Sequence, residues 1–272
     1  MHSRGEKILK KIIGKIIFSP WAFWKPIWKF QSGKNSLSLP ITAFLISTVY
    51  ISTIYALTNN LADWRGYTIF SSSTIIDENI PFIKESIFIY GAYYFLFIAM
   101  ALSVPLTKKG IIECIFAYQI LMLLSTLSFI IFVLMPIKVD TRFGLDTGEG
   151  LVSTLYEILH TADPAYNSWP SLHVLHSIFL AWILLRWIKQ NQGFFKIPVI
   201  LNKFKLFEKF IIPTFIWTLS ITIAISTMTT KQHYFFDFVT GVIFAVIGIL
   251  ILNKCITHIE KNHDTIIEYL EN

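Results

Sequence analysis

Two short segments of the chain carry the residue types best suited to group-transfer chemistry. They are PSLH at residues 170–173 and, 60 residues later, HYFFD at residues 233–237. Arg142 lies in a third segment, and each of the three stands at the edge of a long apolar run. Two histidines, a serine, a carboxylate and a cation together indicate phosphoryl transfer through a histidine nucleophile.

His233 and Asp237 are four residues apart, which predicts that they share one face of a helix that begins near residue 233. A carboxylate behind an imidazole fixes its tautomer and stabilises the cation that forms during attack. An ionisable residue within an apolar run is a candidate functional residue, because its burial is costly. The alternative is a structural His–Asp pair that fixes helix packing.

The segment around residue 170 has the signature of a helix start. Asn167 or Ser168 can cap the helix, and Pro170 suits its first turn. The free N–H groups at such an end bind phosphate, the Ser171 hydroxyl can add a hydrogen bond, and His173 can protonate a leaving oxygen. The alternative is a capped helix start that carries an interfacial histidine.

Arg142 and Lys231 are the candidate phosphate cations. A guanidinium binds a phosphate through two parallel hydrogen bonds, although an isolated loop arginine is more often solvated. Lys231 precedes His233 by two residues, and Lys138 is a weaker third candidate.

The composition shows which elements must position these residues. Of the 272 residues, 54% are hydrophobic and 15% are charged, with a mean hydropathy of +0.59, whereas soluble domains carry roughly 25% charged residues. A membrane helix needs about 20 apolar residues. Six runs approach or exceed this length: 39–57, 86–106, 112–136, 171–188, 210–229 and 234–253. They predict an all-α integral membrane protein with six transmembrane helices.

The distribution of cations predicts the orientation. Of the 23 Lys and Arg residues, 18 lie before the first run, between the second and third, from the end of the fourth to the start of the fifth, or after the sixth. The other five are Arg65, Lys84, Lys138, Arg142 and Lys231. Because cytoplasmic loops carry the excess of Lys and Arg, both termini are expected in the cytoplasm and the site at the extracytoplasmic surface. The net charge of +6 is therefore no sign of nucleic acid binding.

The chain divides into a basic, aromatic N-terminal arm, 1–38, and a six-helix membrane domain, 39–272. The arm is expected to lie in the membrane plane on anionic lipid, the alternative being a disordered cytoplasmic tail. It lacks the short apolar core and small-residue cleavage site of a secretory signal peptide. Residues 151–161 have apolar positions on one helical face and predict a short helix over the outer surface.

The three segments together resemble the type 2 phosphatidic acid phosphatase superfamily, which shares its helical core with vanadium haloperoxidases. The PSGH motif of that family corresponds to PSLH at 170–173, and its SRx5HxxxD motif to STMTTKQHYFFD at 226–237. Its Kx6RP motif is similar only in part. Arg142 matches the arginine, but Phe143 stands in place of the proline and Met135 in place of the lysine. The likeness covers about residues 135–241.

The resemblance implies a role for each matched residue. His233 would be the nucleophile that forms a phosphohistidine, Asp237 would orient it, and His173 would be the general acid. Ser171 and Arg142 would bind phosphate, with no metal or other cofactor. The implied activity is that of a membrane lipid phosphate or diphosphate phosphatase at the extracytoplasmic leaflet of the plasma (bacterial inner) membrane. Its partners would be the lipid phosphate substrate and the bilayer, with no obligate protein partner.

The departures from the family pattern are informative. Thr227 stands where the third motif has arginine, so two of the usual phosphate cations are missing. The TKQHYxxD form resembles the branch that includes inositol phosphorylceramide synthases, and Lys231 is expected to supply the lost charge. The alternative function is a lipid phosphotransferase, similar to phosphosphingolipid synthases or head-group-modifying enzymes, that uses the same histidine.

Three other functional classes fit the same residues less well. His173 and His176 form an HxxH pair, but a zinc or di-iron site would need further ligands at helical spacing. A transporter would place ionisable residues near the midplane or in broken helices, whereas here they cluster at the helix ends. An inactive scaffold is disfavoured because the His, Asp, Ser and Arg positions are all filled.

Overall fold

The computed structural model describes residues 2–30, 36–190 and 207–272. Over these residues the chain is helical and contains no β-strand. In chain order the α-helices are α1 His2–Phe18, α2 Trp24–Phe30, α3 Ser38–Arg65, α4 Ile75–Asn79, α5 Ser86–Gly91, α6 Tyr93–Ser103, α7 Lys108–Leu134, α8 Leu151–Ala162, α9 Leu172–Gln190, α10 Ile212–Thr229 and α11 Phe235–Glu271. A 3₁₀ turn spans Asp140–Arg142, and a π-helical turn at Phe207–Ile211 leads into α10.

Six helical segments are long and apolar enough to cross a membrane. They are Ser38–Arg65, Ser86–Ser103, Lys108–Leu134, Leu172–Gln190, Lys209–Thr229 and Phe235–Glu271. The prediction of an all-α fold with six such helices is confirmed. The last helix exceeds its predicted run by 18 residues, because α11 continues through a largely polar stretch, in which Cys255, Ile256, Ile259, Ile266 and Leu270 are buried. The predicted helix over 151–161 is α8.

The two central helices of the bundle are α7 and α9. In their most apolar stretches, 61% and 67% of residues are buried, against 22% in α3 and 28% in α11. The exposed positions of α3 are themselves apolar, among them Leu45, Val49 and Leu57. Exposed apolar side chains of this kind are expected on the lipid-facing surface of a membrane-spanning bundle, because their exposure to lipid costs no free energy.

The ends of α9 and α11 that carry the two motifs meet closely. A Cβ at Gly241 would lie 2.7 Å from the Ser171 carbonyl oxygen and 2.9 Å from Val174 Cβ, so the absence of a side chain permits the approach. The Ser171 amide donates to the Asp237 carbonyl at 3.2 Å. This contact brings the PSLH and HYFFD segments to the same end of the bundle.

The N-terminal arm packs onto the opposite half of α7. Trp24 is fully buried in the main hydrophobic core, and the Trp21 amide donates to Gln119 Oε1 at 2.9 Å. Gln119 Nε2 donates in turn to the Ser19 carbonyl at 3.2 Å. The exposed side of α1 is apolar at Ile8, Leu9, Ile12, Ile13 and Ile16.

Candidate active site

A narrow cleft at the motif-bearing end of the bundle is built from three loops. The loop after α7 contributes Arg142, the loop before α9 contributes Asp163, Asn167 and Ser168, and the loop between α10 and α11 contributes Gln232 and His233. The cleft therefore joins Arg142, the loop that precedes PSLH, and His233, whereas Ser171 and His173 of PSLH are not among its lining residues. Tyr55 of α3 also lines the cleft.

His233 lies before α11 and not within it. Its amide and that of Gln232 both donate to the Thr227 carbonyl, at 3.0 and 2.9 Å, which fixes the turn. His233 Nδ1 is 2.9 Å from the Ser168 carbonyl oxygen. A carbonyl can only accept, so Nδ1 carries the hydrogen and Nε2 keeps its lone pair.

Asp237 makes a different contact from the predicted one. Its Oδ2 accepts from the Tyr234 amide at 2.9 Å and lies 3.7 Å from His233 Nδ1. The expected shared helical face does not exist, because the helix begins at Phe235 and His233 precedes it. The Ser168 carbonyl is therefore the hydrogen-bond acceptor of the imidazole, and the carboxylate stands beside it as a negative charge.

His173 and His176 lie one turn apart on α9 in different environments. The His173 ring stacks on Tyr90 with centroids 4.3 Å apart and lies 6.2 Å from the His233 ring. Its Nε2 has no hydrogen-bond partner among the described residues. His176 is fully buried, with Nδ1 2.6 Å from the Tyr93 hydroxyl and Nε2 2.9 Å from the Ser125 hydroxyl.

Ser171 stands at the cap position of α9. Its hydroxyl is fully buried and accepts from the Val174 amide at 3.4 Å. The helix begins at Leu172, so the predicted capping by Asn167 or Ser168 is wrong. Those two side chains bond elsewhere because the chain is still in the loop at their positions.

Arg142 is almost fully buried at the end of the 3₁₀ turn. Its Nη2 donates to the Asp163 carbonyl at 2.8 Å, and its side chain lines the cleft together with His233. The guanidinium has five N–H groups in a fixed plane, so this bond holds its orientation and leaves other donors for a ligand.

Lys231 and Lys138 do not line the cleft. Lys231 Nζ donates to the Asp77 and Ile80 carbonyls, at 3.2 and 2.5 Å, and so binds the segment around α4. Partial burial lowers the pKa of this ammonium. Lys138 Nζ lies 3.6 Å from Asp140 Oδ1 and over the ring of Phe143. The assignment of Lys231 to phosphate remains a prediction.

Sequence reasoning did not single out Asp163 or its partners. Asp163 Oδ1 accepts from the Tyr55 hydroxyl at 2.8 Å and from Asn59 Nδ2 at 2.5 Å. Burial raises the pKa of this carboxyl, and the Arg142 guanidinium opposes the shift. The one sequence signal was an acidic residue close to PSLH.

Gln232 connects the cleft to α8. Its Nε2 is 3.3 Å from His160 Nε2 and donates to the Thr230 carbonyl at 2.9 Å. Burial, and then the positive charge of Arg142, lower the pKa of His160 to about 4. His160 is therefore neutral near pH 7, so that its Nε2 can accept from the amide.

One member of the HxxH pair, His176, is engaged in hydrogen bonds at both ring nitrogens. Both ring nitrogens of His176 are bound by hydroxyl groups, which leaves neither for a metal. Within the described ranges, no three His, Cys, Asp or Glu side chains are grouped closely enough to hold an ion.

The family model described as the PAP2 superfamily matches residues 138–261. This stretch contains all three loops of the cleft, from Arg142 to Asp237. No curated protein and no solved structure is significantly similar to the chain. The match adds a PAP2 domain to the six-helix fold, and the two together indicate a multi-pass membrane protein of a class of lipid phosphatases and phosphotransferases.

Proposed function

We propose that the protein is a lipid phosphate or diphosphate phosphatase that acts at the extracytoplasmic leaflet through a phosphohistidine on His233. The observation that carries the proposal is the 2.9 Å contact between His233 Nδ1 and the Ser168 carbonyl. A tautomer with hydrogen on Nδ1 presents a lone pair on Nε2, which is the form that attacks phosphorus. The family match to the segment that contains this contact supports the same chemistry.

In the first half-reaction, His233 Nε2 attacks phosphorus and a P–N bond forms. The bond between phosphorus and the lipid oxygen breaks, and its electron pair stays on that oxygen. His173 Nε2, which no protein group engages in the described chain, supplies the proton to the leaving oxygen. The positive charge left on the imidazole is stabilised by the nearby Asp237 carboxylate.

Arg142 is the principal phosphate ligand in this proposal. Its guanidinium is already oriented by the Asp163 carbonyl, so little side-chain freedom is lost when phosphate binds. The Ser171 hydroxyl and the free N–H groups at the start of α9 are proposed to add further hydrogen bonds to the five-coordinate phosphorus. Lys231 would join them if its side chain left the Asp77 and Ile80 carbonyls.

The alternative is transfer of the phosphoryl group to the hydroxyl of an acceptor lipid. Hydrolysis and transfer pass through the same phosphohistidine, and they differ in which O–H group reaches it. The TKQHYFFD sequence at 230–237 is the feature that favours transfer. The small volume of the cleft favours water.

The test is an assay of purified protein in mixed micelles. Lipid phosphates and diphosphates are offered with and without an acceptor lipid, and both free phosphate and new lipids are measured. Turnover should fall by roughly 10³-fold or more in His233→Ala. His263→Ala, near the far end of α11, should leave it unchanged. Turnover by His233→Ala within a few-fold of wild type would refute the mechanism.

Two additions to that assay separate this chemistry from its competitors. Vanadate should inhibit, because it adopts the five-coordinate geometry of the transferring phosphorus. A chelator should have no effect; a loss of activity that zinc or magnesium restores would favour a metal mechanism instead. A new head-grouped lipid without matching phosphate release would identify a phosphotransferase.

A further inference from the structure

Two buried side-chain amides of the cleft have the same unusual hydrogen-bond pattern. Gln232 and Asn167 are 3% and 4% exposed, and both line the cleft that contains His233. In each, the amide nitrogen is engaged and the amide oxygen has no donor among the described residues. Buried polar atoms are nearly always paired, so two such oxygens in one cleft require an explanation.

The identity of each free atom as oxygen follows from the partners of the nitrogen. Gln232 Nε2 donates to the Thr230 carbonyl and to the neutral His160 imidazole. Asn167 Nδ2 lies 2.9 Å from both the Tyr55 carbonyl and the Thr58 hydroxyl. Carbonyl oxygens can only accept, so the atoms facing them are the N–H₂ groups. Both hydrogens of each amide nitrogen are therefore engaged in hydrogen bonds. The only groups of these amides that remain free are their oxygens, which are acceptors.

An acceptor-only pair does not suit a phosphate. A phosphoryl group at neutral pH offers mainly oxygen lone pairs, and these would face the two amide oxygens without a hydrogen between them. The missing partner must instead be a hydrogen donor. Arg142 offers the complementary donors for phosphate, which the cleft itself, at about 10 Å³, is too small to enclose.

The size of the cleft narrows the choice of donor. Its cavity volume is about 10 Å³, which is close to the smallest space that holds one water molecule. Water carries two hydrogens, so it can give one to an amide oxygen and the other to a base. An alcohol has a single hydrogen on its oxygen and cannot do both.

We propose that Gln232 Oε1 and Asn167 Oδ1 form a subsite for the O–H group that removes the phosphoryl group from His233, and that this group is water. The subsite rests on the proposed function and deepens it, because it assigns the residues that position the second substrate. Asn167 lies outside the three family motifs quoted above, and Gln232 occupies a variable position of the third motif, one residue before its histidine.

The second half-reaction then balances as follows. The water oxygen attacks phosphorus, an O–P bond forms, and the bond from phosphorus to His233 Nε2 breaks with its electron pair returning to the nitrogen. One water hydrogen passes to His173 Nε2, which gave its proton to the leaving oxygen in the first half. The other is shared between Gln232 Oε1 and Asn167 Oδ1, and it leaves on the product phosphate.

The test is the separate measurement of phosphohistidine formation and breakdown after rapid mixing with radiolabelled lipid phosphate. Gln232→Met keeps the side-chain length and removes the acceptor, and Asn167→Leu does the same at the second position. Each should slow breakdown by about tenfold, the equivalent of one hydrogen bond, with little change in formation. Phosphohistidine should therefore accumulate in the variants at steady state.

The matched control is Gln119→Met. Gln119 is equally buried and fully hydrogen-bonded, but it lies in the half of α7 remote from the cleft. Its substitution should lower the unfolding temperature without accumulation of phosphohistidine. Accumulation in this control would mean that a loosened fold alone slows breakdown, and would overturn the assignment.

The outcomes separate the subsite from the proposed function. If wild-type protein turns over lipid phosphate without any phosphohistidine, the proposed function fails and the subsite with it. If phosphohistidine forms normally but does not accumulate in either variant, the subsite alone is wrong.

A measurement on wild-type protein needs no variant to fold. Added methanol, ethanol and glycerol compete with water for the phosphohistidine, and the phosphorylated alcohols are counted. The ratio of free phosphate to phosphorylated alcohol should exceed the molar ratio of water to alcohol for all three alcohols. The excess should grow with the size of the alcohol. Efficient transfer to glycerol would overturn the assignment of this cleft to water.

Discussion

Gln232 and Gln119 are buried alike but are satisfied differently. Gln119, in the half of α7 remote from the cleft, accepts from the Trp21 amide and donates to the Ser19 carbonyl. Gln232, in the cleft, uses both hydrogens of its nitrogen and leaves its oxygen without a donor in the described chain. The first arrangement serves only to join two segments. The second retains an unused acceptor, which indicates that its partner is a ligand.

The same contrast separates His173 from His176, only three residues apart on α9. Both nitrogens of His176 are hydrogen-bonded to hydroxyl groups, whereas Nε2 of His173 is not bonded to any described residue. The position of each histidine along α9 explains the difference. The first turn of α9 faces the cleft loops, and the next turn is enclosed by α6 and α7.

The largest expected loss of turnover comes from a substitution of His173, which tests this contrast. His173→Asn should lower turnover by about 10²- to 10⁴-fold, because proton transfer to the leaving oxygen is lost. The loss should be smaller for diphosphates, whose leaving group needs less protonation. His176→Asn should mainly lower the unfolding temperature. The measurement is the turnover of both variants on substrates with several leaving groups. Equal losses in the two variants would contradict the assignment of His173 as the proton donor.

A second comparison concerns two glycines. Gly241→Ala would place a Cβ 2.7 Å from the Ser171 carbonyl, a backbone atom that cannot turn aside. We expect destabilisation by about 1–3 kcal/mol, with reduced turnover because α9 and α11 separate. Gly91→Ala meets nothing within 4 Å and should be neutral or slightly stabilising. Unfolding temperatures in detergent test both, and equal values for the two variants would mean that the close approach is not needed.

Lys231 tests whether a side chain engaged in the structure also serves the site. If it replaces the missing motif cations, Lys231→Ala should raise KM for lipid phosphate, for a loss in kcat/KM of about tenfold, and Lys231→Arg should retain most activity. Unchanged turnover in Lys231→Ala would mean that the Lys231 ammonium has only a structural role, which is to hold the segment that carries Asp77. In that case Asp77→Asn, which weakens the bond from the Phe235 amide to Asp77 Oδ1, is the more damaging change.

The smallest expected effect is on pH dependence. His160 is held neutral in the folded protein down to about pH 4, whereas in the unfolded chain it takes up a proton near pH 6.5. The unfolded state thus binds more protons between these values, so the free energy of unfolding falls as the pH drops from about 6.5 to 4. Because the residue is half exposed, the loss is about 1 kcal/mol or less. Stability measured across this range should vary less in His160→Gln, and an identical slope would contradict this.

The sequence predicted the membrane helices more accurately than the contacts within the cleft. Apolar runs identify spans because lipid imposes the same requirement on every helix, and all six were found. The end of α11 was missed because its last 18 residues are mostly polar and carry no such signal. The helix start near PSLH was placed too early, because local capping preferences do not tell a loop residue from a cap. The start near HYFFD was placed near residue 233 from the spacing of His233 and Asp237, whereas the helix begins at Phe235.

The contacts of His233 illustrate why the remainder was not predictable. The spacing to Asp237 suggested a direct pair, whereas the acceptor at 2.9 Å is the backbone carbonyl of Ser168, 65 residues away in sequence. A backbone carbonyl occurs at every position, so nothing in the sequence distinguishes this one. Gln232, in contrast, adjoins the candidate nucleophile, and a buried amide beside it was a signal that could have been used.

The Ser168 carbonyl has a consequence for how this site tolerates change. Every amino acid that could replace Ser168 brings the same carbonyl oxygen, so alanine scanning at this position would report the loss of a hydroxyl and leave the acceptor of the candidate nucleophile in place. Its removal needs an alteration of the main chain itself, such as an ester linkage at the following bond to weaken that oxygen. The tautomer of His233 thus depends on the backbone path of the 163–168 loop and not on the side chain of any one residue.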